Sequence, residues 1–372
     1  MDTQVDLHSK AALYMGIELG SKGWKLAMSA GEKIREVNVP YADEERLQQQ
    51  IDRAKERLGL SAEASVLSCY EAGRDGFWIH RLLEGVGVQN MVIDPASVEV
   101  NRRKRRAKTD RVDAKKLVMV LMRYYQLNEK THCKVVRIPT EADEDARRAH
   151  REMERLKKER TGHINRIRGL LATQGVKVKN VMNVPWDRLC DWQGKRLGAV
   201  LLSELKRECE RLGMLCQQIE ELEGQRDKAL KDAETKAEKV AAKLNALKSV
   251  GPVSAWTLSH EFFAWREFKN VREVGGLSGL TGTPYDSGES SREQGISKAG
   301  NRRVRRVAIE LAWSWVRYQP DSELAQWFRE RFAHGSKRMR KVGIVAVARK
   351  LLVALWKYIE LDQLPAGALL KA

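Results

Sequence analysis

Residues 13–39 read LYMGIELGSKGWKLAMSAGEKIREVNV, and this stretch decides the fold of the N-terminal third. It holds three short β-like runs, LYMGIEL (13–19), WKLAMSA (24–30) and IREVNV (34–39), punctuated by Gly20, Gly23 and Gly31. Apolar runs this short and this close, with glycines at the breaks, predict an antiparallel meander. Beyond it the period changes. A helix is expected over Glu44–Leu58, an apolar strand at Ser65–Cys69, a helix over Asp75–Glu84, and a strand at Val88–Ile93 ended by Asp94 and Pro95. A basic stretch follows, then a helix at Arg111–Tyr125 and a last β-like run, Lys134–Ile138, closed by Pro139. Three strands followed by alternating helix and strand predict a mixed α/β sheet of the ribonuclease H type over residues 1–139.

From Thr140 to Leu247 the composition shifts to Glu, Lys, Arg, Ala and Leu, which predicts long helices. Leu205, Leu212, Ile219, Ala233, Val240 and Leu247 keep a seven-residue spacing, partnered at first by Leu201, Leu215 and Leu222, so a coiled-coil-like seam is expected over 140–247. A continuous helix from Leu201 to Leu247 would run roughly 70 Å at 1.5 Å per residue. Residues 175–194, with Pro185 and two Trp, are expected to turn the chain back into a helical hairpin. The remainder, 248–372, opens with LKSVGPVSAWTL, read as helix, Gly-Pro turn and helix. It continues through GGLSGLTGT (275–283) and a polar loop to Gly300, and ends in basic helices whose Trp313, Trp315, Trp327 and Trp356 fit core positions.

The chain has 372 residues, 42% hydrophobic and 32% charged, with a mean hydropathy of -0.51. That is enough apolar content for a sizeable core and too much charge for a membrane protein. The longest apolar stretch, Val342 to Trp356, is broken by Arg349 and Lys350 and falls short of the ~20 residues a spanning helix needs. The first residues carry no apolar signal region, so a cytoplasmic setting is expected. Five cysteines without CxxC spacing support neither a disulfide framework nor a zinc site. The net charge is +18, and its location is informative: residues 101–116 carry nine basic and two acidic side chains, and residues 297–350 fourteen and four. Positive charge focused in this way is commonly matched to phosphate backbones.

Two constellations could carry chemistry. Asp110 and Asp113 stand at i, i+3 at a helix start, within a run of cations that includes Arg102, Arg103, Lys104, Arg105, Arg106 and Lys108. Such carboxylates either pair with those cations or hold a divalent metal while the cations hold phosphate. In a ribonuclease H-type sheet, Glu18 on the first strand and Glu71 after the fourth would lie beside that helix, and four converging carboxylates suit one or two Mg²⁺ (or Mn²⁺) ions in phosphoryl transfer. The second constellation is PYDSGESSREQGISKAGNRRVRR, 284–306. Ser287, followed by Gly288 in a loop, is sterically accessible and could be a nucleophile or only a turn residue, and Lys298, Arg302, Arg303, Arg305 and Arg306 could stabilise a transferring phosphate or only bind backbone phosphate.

GIEL at the first strand, YEAG at the fourth, AKTDRVDAKKL after an Asp-Pro, VGPVSAWTL, GLTGTPYDSG and GISKAGNRRVRR together resemble the DEDD transposases of the insertion-sequence one-hundred-and-ten family and the related Piv-type DNA invertases. The blocks span nearly the whole chain; TDRVDA and SG…ISKAGN are the specific ones. The resemblance implies a RuvC-like ribonuclease H domain at 1–139 whose Glu18, Glu71, Asp110 and Asp113 coordinate Mg²⁺, and a C-terminal transposase domain at 248–372 with Ser287 as catalytic serine. It implies recombination of donor and target DNA through a covalent phosphoserine, a structured noncoding bridge RNA pairing with both DNAs, and homodimers or homotetramers in which two protomers build one site. A bacterial, nucleoid-associated location follows from the same resemblance. The family usually has Asp where this chain has Glu18. Two other readings compete: a metal-dependent, Holliday-junction-type nuclease that uses water, and a nonenzymatic coiled-coil nucleic-acid-binding protein.

Overall fold

A computed structural model describes residues 12–97, 110–130, 133–287 and 290–371. The chain divides into two compact units, Met1–Ile138 and Pro139–Ala372.

In the first unit the meander forms β1 (Leu13–Leu19), β2 (Gly23–Ser29) and β3 (Ile34–Pro40). There follow α1 (Glu44–Arg57), β4 (Val66–Glu71), α2 (Trp78–Gly85), β5 (Gln89–Ile93) and α3 (Asp110–Gln126). The five strands make one mixed sheet in the order β3-β2-β1-β4-β5. β1, β2 and β3 pair antiparallel, whereas β4 runs parallel to β1 and β5 parallel to β4. The two-residue side-chain period sorts β1 between two cores. Leu13, Met15 and Ile17 pack with Leu47 and Ile51 of α1, while Tyr14 joins Leu67 and Cys69 of β4 against Ala114, Leu117, Val118 and Leu121 of α3. The run Lys134–Ile138 does not form the expected strand. It meets β5 through a single bridge, Val135 to Ile93, and is held by packing of Val136 and Ile138 on the α1 side of the sheet.

The second unit contains α4 (Glu141–Asp145), α5 (Arg148–Ala172), α6 (Ala199–Asp232), α7 (Lys236–Asn245) and α8 (Pro252–Leu258). A π-helical turn, Ser259–Phe263, extends α8. Then come α9 (Val271–Ser278), β6 (Gly282–Ser287), β7 (Ser290–Ile296), α10 (Arg302–Tyr318), α11 (Glu323–Phe332) and α12 (Lys337–Leu361). The expected helix over Leu201–Leu247 is broken. Ala233 adopts a left-handed φ of 47°, and Thr235 restarts the chain with a capping box to Glu238. The seven-residue seam is thereby divided: Leu205 and Leu212 pack with Ile167 and Leu171 of α5, whereas Val240, Leu244 and Leu247 enter the C-terminal core. Glu208 is buried inside the α5–α6 hairpin, held by His163, Arg166 and Arg211. Burial raises its pKa, but the hydrogen bonds from His163 and Arg166 outweigh burial and keep it below the usual carboxylate range. The Gly-Pro turn before α8 is a core feature, since Val250, Ala255 and Leu258 are fully buried around it. Trp315 is buried and Trp327 and Trp356 pack on the same core, but Trp313 is half exposed.

Candidate active site

The parallel pairing of β1 with β4 sets Ile17 opposite Tyr70. Glu18 and Glu71 are the next residues on each strand, so the register carries two acidic positions side by side to the C-terminal ends of adjacent parallel strands. By the two-residue period both share the sheet face of Tyr14, Leu67 and Cys69, the face that α3 covers. Gly16 lets α3 lie close there. A Cβ at Gly16 would sit 2.5 Å from the Val118 nitrogen and 2.6 Å from the Ala114 oxygen, so the strand and helix backbones pack in direct contact. The buried Cys69 Sγ also reaches the Leu117 carbonyl at 3.3 Å, and burial pushes its thiol pKa far up.

The first turn of α3 carries Asp110 and Asp113, so the helix that supplies these two acids is packed on the sheet face that presents the other two. Asp113 pairs with Lys116 at 3.2 Å, and Lys115 with Glu36 of β3 at 2.8 Å, so two cations of the basic stretch are engaged locally. The side chain of Asp110 and residues Arg102, Arg103, Lys104, Arg105, Arg106 and Lys108 lie outside the described residues. Among the described residues no three His, Cys, Asp or Glu are grouped so as to hold a metal ion; Glu18, Glu71 and Asp113 are the described part of the set.

Ser287 lies at the end of a strand and not in the expected loop. β6 and β7 form an antiparallel hairpin in which Ser287 pairs with Ser290, beside the two-residue tip. The side chain of Ser287 is outside the described residues. The hairpin base is locked to the end of α9. Ser297 N donates to the Thr281 carbonyl (2.8 Å) and Lys298 N to the Gly279 carbonyl (3.1 Å). The crossing needs glycine twice, because a Cβ at Gly279 would collide with the Ala299 carbonyl and one at Gly300 with the Leu277 carbonyl, and both have positive φ.

The five cations after the hairpin separate into two groups. Arg303 and Arg306 bind Glu154 of α5 at 2.7 and 2.5 Å, and Arg305 donates to the Ala299 carbonyl at 3.0 Å. These three are engaged within the protein, although Arg306 stays exposed, whereas Lys298 and Arg302 are exposed and make no such contact among the described residues.

Sequence reasoning missed Glu261. It lies in the π-helical turn, fully buried, and accepts hydrogen bonds from Arg151 Nε (2.7 Å) and NH2 (2.8 Å), from Asn301 Nδ2 (2.7 Å), and pairs with His150 Nε2 at 2.9 Å. Burial disfavours its charge, but the Arg151 and His150 contacts outweigh burial and hold the carboxyl far below its ordinary pKa. Its neighbour His260 stacks on Trp256 with ring centroids 4.1 Å apart, and burial lowers its pKa to about 4. His260 lines a cavity of about 460 Å³ together with His150, Glu154, Trp256, Arg303 and Arg306. π-Helical turns concentrate at functional sites, and an adjacent His and Glu inside the apolar run around SHEFF is the one signal that could have pointed here.

Residues 241–326, which contain Glu261, Ser287 and Asn301, match the model of the transposase IS116/IS110/IS902 family. Over nearly its full length the chain is similar to a putative transposase, y4rJ, of Sinorhizobium fredii (strain NBRC 101917 / NGR234): 38% identical over 379 residues, covering 97% of this chain and 95% of the relative. The chain belongs to the IS116/IS110/IS902 transposase family. A second relative of this transposase is the transposase for insertion sequence element IS1328 of Yersinia enterocolitica, 27% identical over 59% of this chain and 64% of that one. A third is the putative transposase y4qE of the same Sinorhizobium strain, 28% identical over 82% and 72%. No helix among the described residues of the transposase is long and apolar enough to cross a membrane.

Proposed function

We propose that this transposase cuts and rejoins DNA strands through a phosphoserine on Ser287, with Glu18, Glu71, Asp110 and Asp113 as a Mg²⁺-binding set on a RuvC-like, ribonuclease H-type sheet. The observation that carries the carboxylate half is the register: it sets Glu18 beside Glu71 at neighbouring strand ends, under a helix that begins with Asp110 and Asp113. All four donors are carboxylate oxygens, which suit a hard divalent cation such as Mg²⁺ or Mn²⁺. When bound, that ion supplies charge stabilisation for the attacking and leaving oxygens of phosphoryl transfer. Glu18, where the family usually has Asp, carries one more methylene and reaches further from the strand end.

In the first step Ser287 Oγ forms a bond to phosphorus, the bond from phosphorus to the leaving deoxyribose oxygen breaks, and the serine proton passes to water while the leaving oxygen takes one up. In the second step the hydroxyl of another strand displaces Ser287, which returns the serine and joins the strands. No net hydrolysis occurs, so bond energy is conserved in the phosphoserine. The exposed Lys298 and Arg302 beside the hairpin base suit contact with DNA phosphate. Guidance by a bridge RNA and association of two or four copies belong to the same proposal and rest on family membership; the α6 seam, covered by α5, lends association no support. The test is a denaturing gel after incubation with end-labelled donor DNA. A labelled band at the mass of protein plus DNA is expected for the wild type and none for Ser287→Ala. Cleavage with no covalent adduct would replace this reading by a nuclease that uses water.

A further inference from the structure

Through Asn301 the fully buried charge of Glu261 is connected to the base of the serine hairpin. The Asn301 side chain works in two directions: Oδ1 accepts from Arg303 N (2.9 Å) and caps α10, and Nδ2 donates to Glu261 Oε2 (2.7 Å). Immediately before it, residues 297–300 make the tight crossing with 277–281 from which β6 departs and to which β7 returns. Arg305, one turn into α10, closes the same crossing through the Ala299 and Ser278 carbonyls at 3.0 and 3.4 Å. Glu261 itself is fixed on its far side by Arg151 and His150 of α5.

We infer that Glu261 is a positioning residue: through Asn301 it locks the base of the β6–β7 hairpin and so sets where Ser287 stands for attack. A surface hydrogen bond would be too weak for this, but a charge-assisted contact to a fully buried carboxylate is strong and directional. The carboxylate has to be buried and ionised to serve two residues of α5 and Asn301 together, which accounts for an otherwise costly charge in the core. The π-helical turn contributes by displacing Glu261 from the α-helical register of α8. This inference rests on the Ser287 reading for its catalytic consequence, but not for the latch itself.

The test is Asn301→Asp in the full chain. Aspartate caps α10 as well as asparagine does, but it turns the donor facing Glu261 into a second carboxylate. Two readouts are expected to move together. Adduct formation at saturating DNA should slow by between about tenfold and a hundredfold, as expected for a small misplacement of the reacting group, with DNA affinity within about twofold of wild type. Amide hydrogen exchange over 279–283 and 296–301 should quicken while α12 stays protected. Glu261→Gln in the Asn301→Asp background places an amide donor opposite the new carboxylate and should restore part of both. If Asn301→Asp does not fold, Asn301→Ser decides, because serine keeps the cap but is too short to reach Glu261. Wild-type exchange and adduct rate in Asn301→Asp or Asn301→Ser, or no recovery in the double variant, would overturn the inference. If the wild-type chain forms no adduct at all, the serine reading falls, while exchange and its rescue still decide whether the latch exists.

Discussion

Gly16→Ala is the substitution that probes the carboxylate platform most directly, because it leaves every acidic side chain in place and moves what they are mounted on. The added methyl would lie 2.5 Å from the Val118 nitrogen, 2.6 Å from the Ala114 oxygen and 2.9 Å from Leu117 Cβ. Two of these three neighbours are helix backbone, which cannot rotate away as a side-chain tip can. Relief requires α3 to move off the sheet by nearly 1 Å, opening the packing of Leu117, Val118 and Leu121 against β1 and β4. Overpacking of this kind costs about 1 to 3 kcal/mol, and two backbone clashes place it near 3. For a unit of this size that corresponds to a fall in Tm of roughly 10 °C. The same shift carries Asp110 and Asp113 away from Glu18 and Glu71, so strand cleavage should fall well before DNA binding does. Calorimetry of the full chain and cleavage at a temperature where both proteins are folded measure the two effects. Gly85→Ala, with open space around its Cβ, is the control and should change neither. A Gly16→Ala protein with wild-type melting and wild-type cleavage would refute the close packing of α3 on β1 and the site built on it.

Other outcomes follow from the same geometry. Ser287→Ala should abolish the covalent adduct, whereas Ser290→Ala and Ser291→Ala on the facing strand should retain it, as read on a denaturing gel and by peptide mapping of the adduct. Asp110→Ala and Asp113→Ala should each abolish Mg²⁺-dependent cleavage while leaving DNA binding within about twofold, because removing an anion from a cationic surface does not loosen phosphate; full cleavage in both would remove the metal assignment. Stability should fall with pH below neutrality. His260 has a folded pKa of about 4 against an ordinary 6.5, so between these values the unfolded chain binds a proton that the folded one does not, and up to about 3 kcal/mol is lost as pH falls through that window. Glu261, whose folded pKa is depressed, adds a further loss as pH falls below the ordinary 4.5. Denaturant melts of His260→Phe should flatten the 6.5-to-4 part of the profile and leave the lower part.

The meander is legible because Gly20, Gly23 and Gly31 separate short apolar runs, and strands bounded in this way carry their own signal; β1 begins and ends where LYMGIEL does. The β6–β7 hairpin has no such signal. PYDSGESSREQ offers no apolar alternation, and the base of the hairpin is fixed by glycine-dependent crossings at Gly279 and Gly300. The break after α6 is a different failure. No Pro or Gly marks it, but Thr235 and Glu238 stand at capping-box spacing in the sequence, and that signal outranks an unbroken heptad count.

For the site, pattern and charge mislead in a particular way. Glu18 and Glu71 look like ordinary strand-end acids until a fold places β1 beside β4, and the pairing register then sets them next to one another. Glu261 was invisible because its partners stand 110 residues before it and 40 after it, a distance that periodicity cannot bridge. Charge arithmetic is incomplete at GNRRVRR. It counts four arginines as a phosphate surface, yet Arg303 and Arg306 are held by Glu154 and Arg305 by backbone carbonyls. A cation that already satisfies a partner at 2.5 to 3.0 Å has to break that contact before it can hold a phosphate, whereas the exposed Arg302 does not. Basic residues in this segment thus divide by whether the fold has already used them: three arginines set the height and angle of α10 against α5 and the hairpin base, and the cations that remain open to a phosphate are those whose side chains the core never reached.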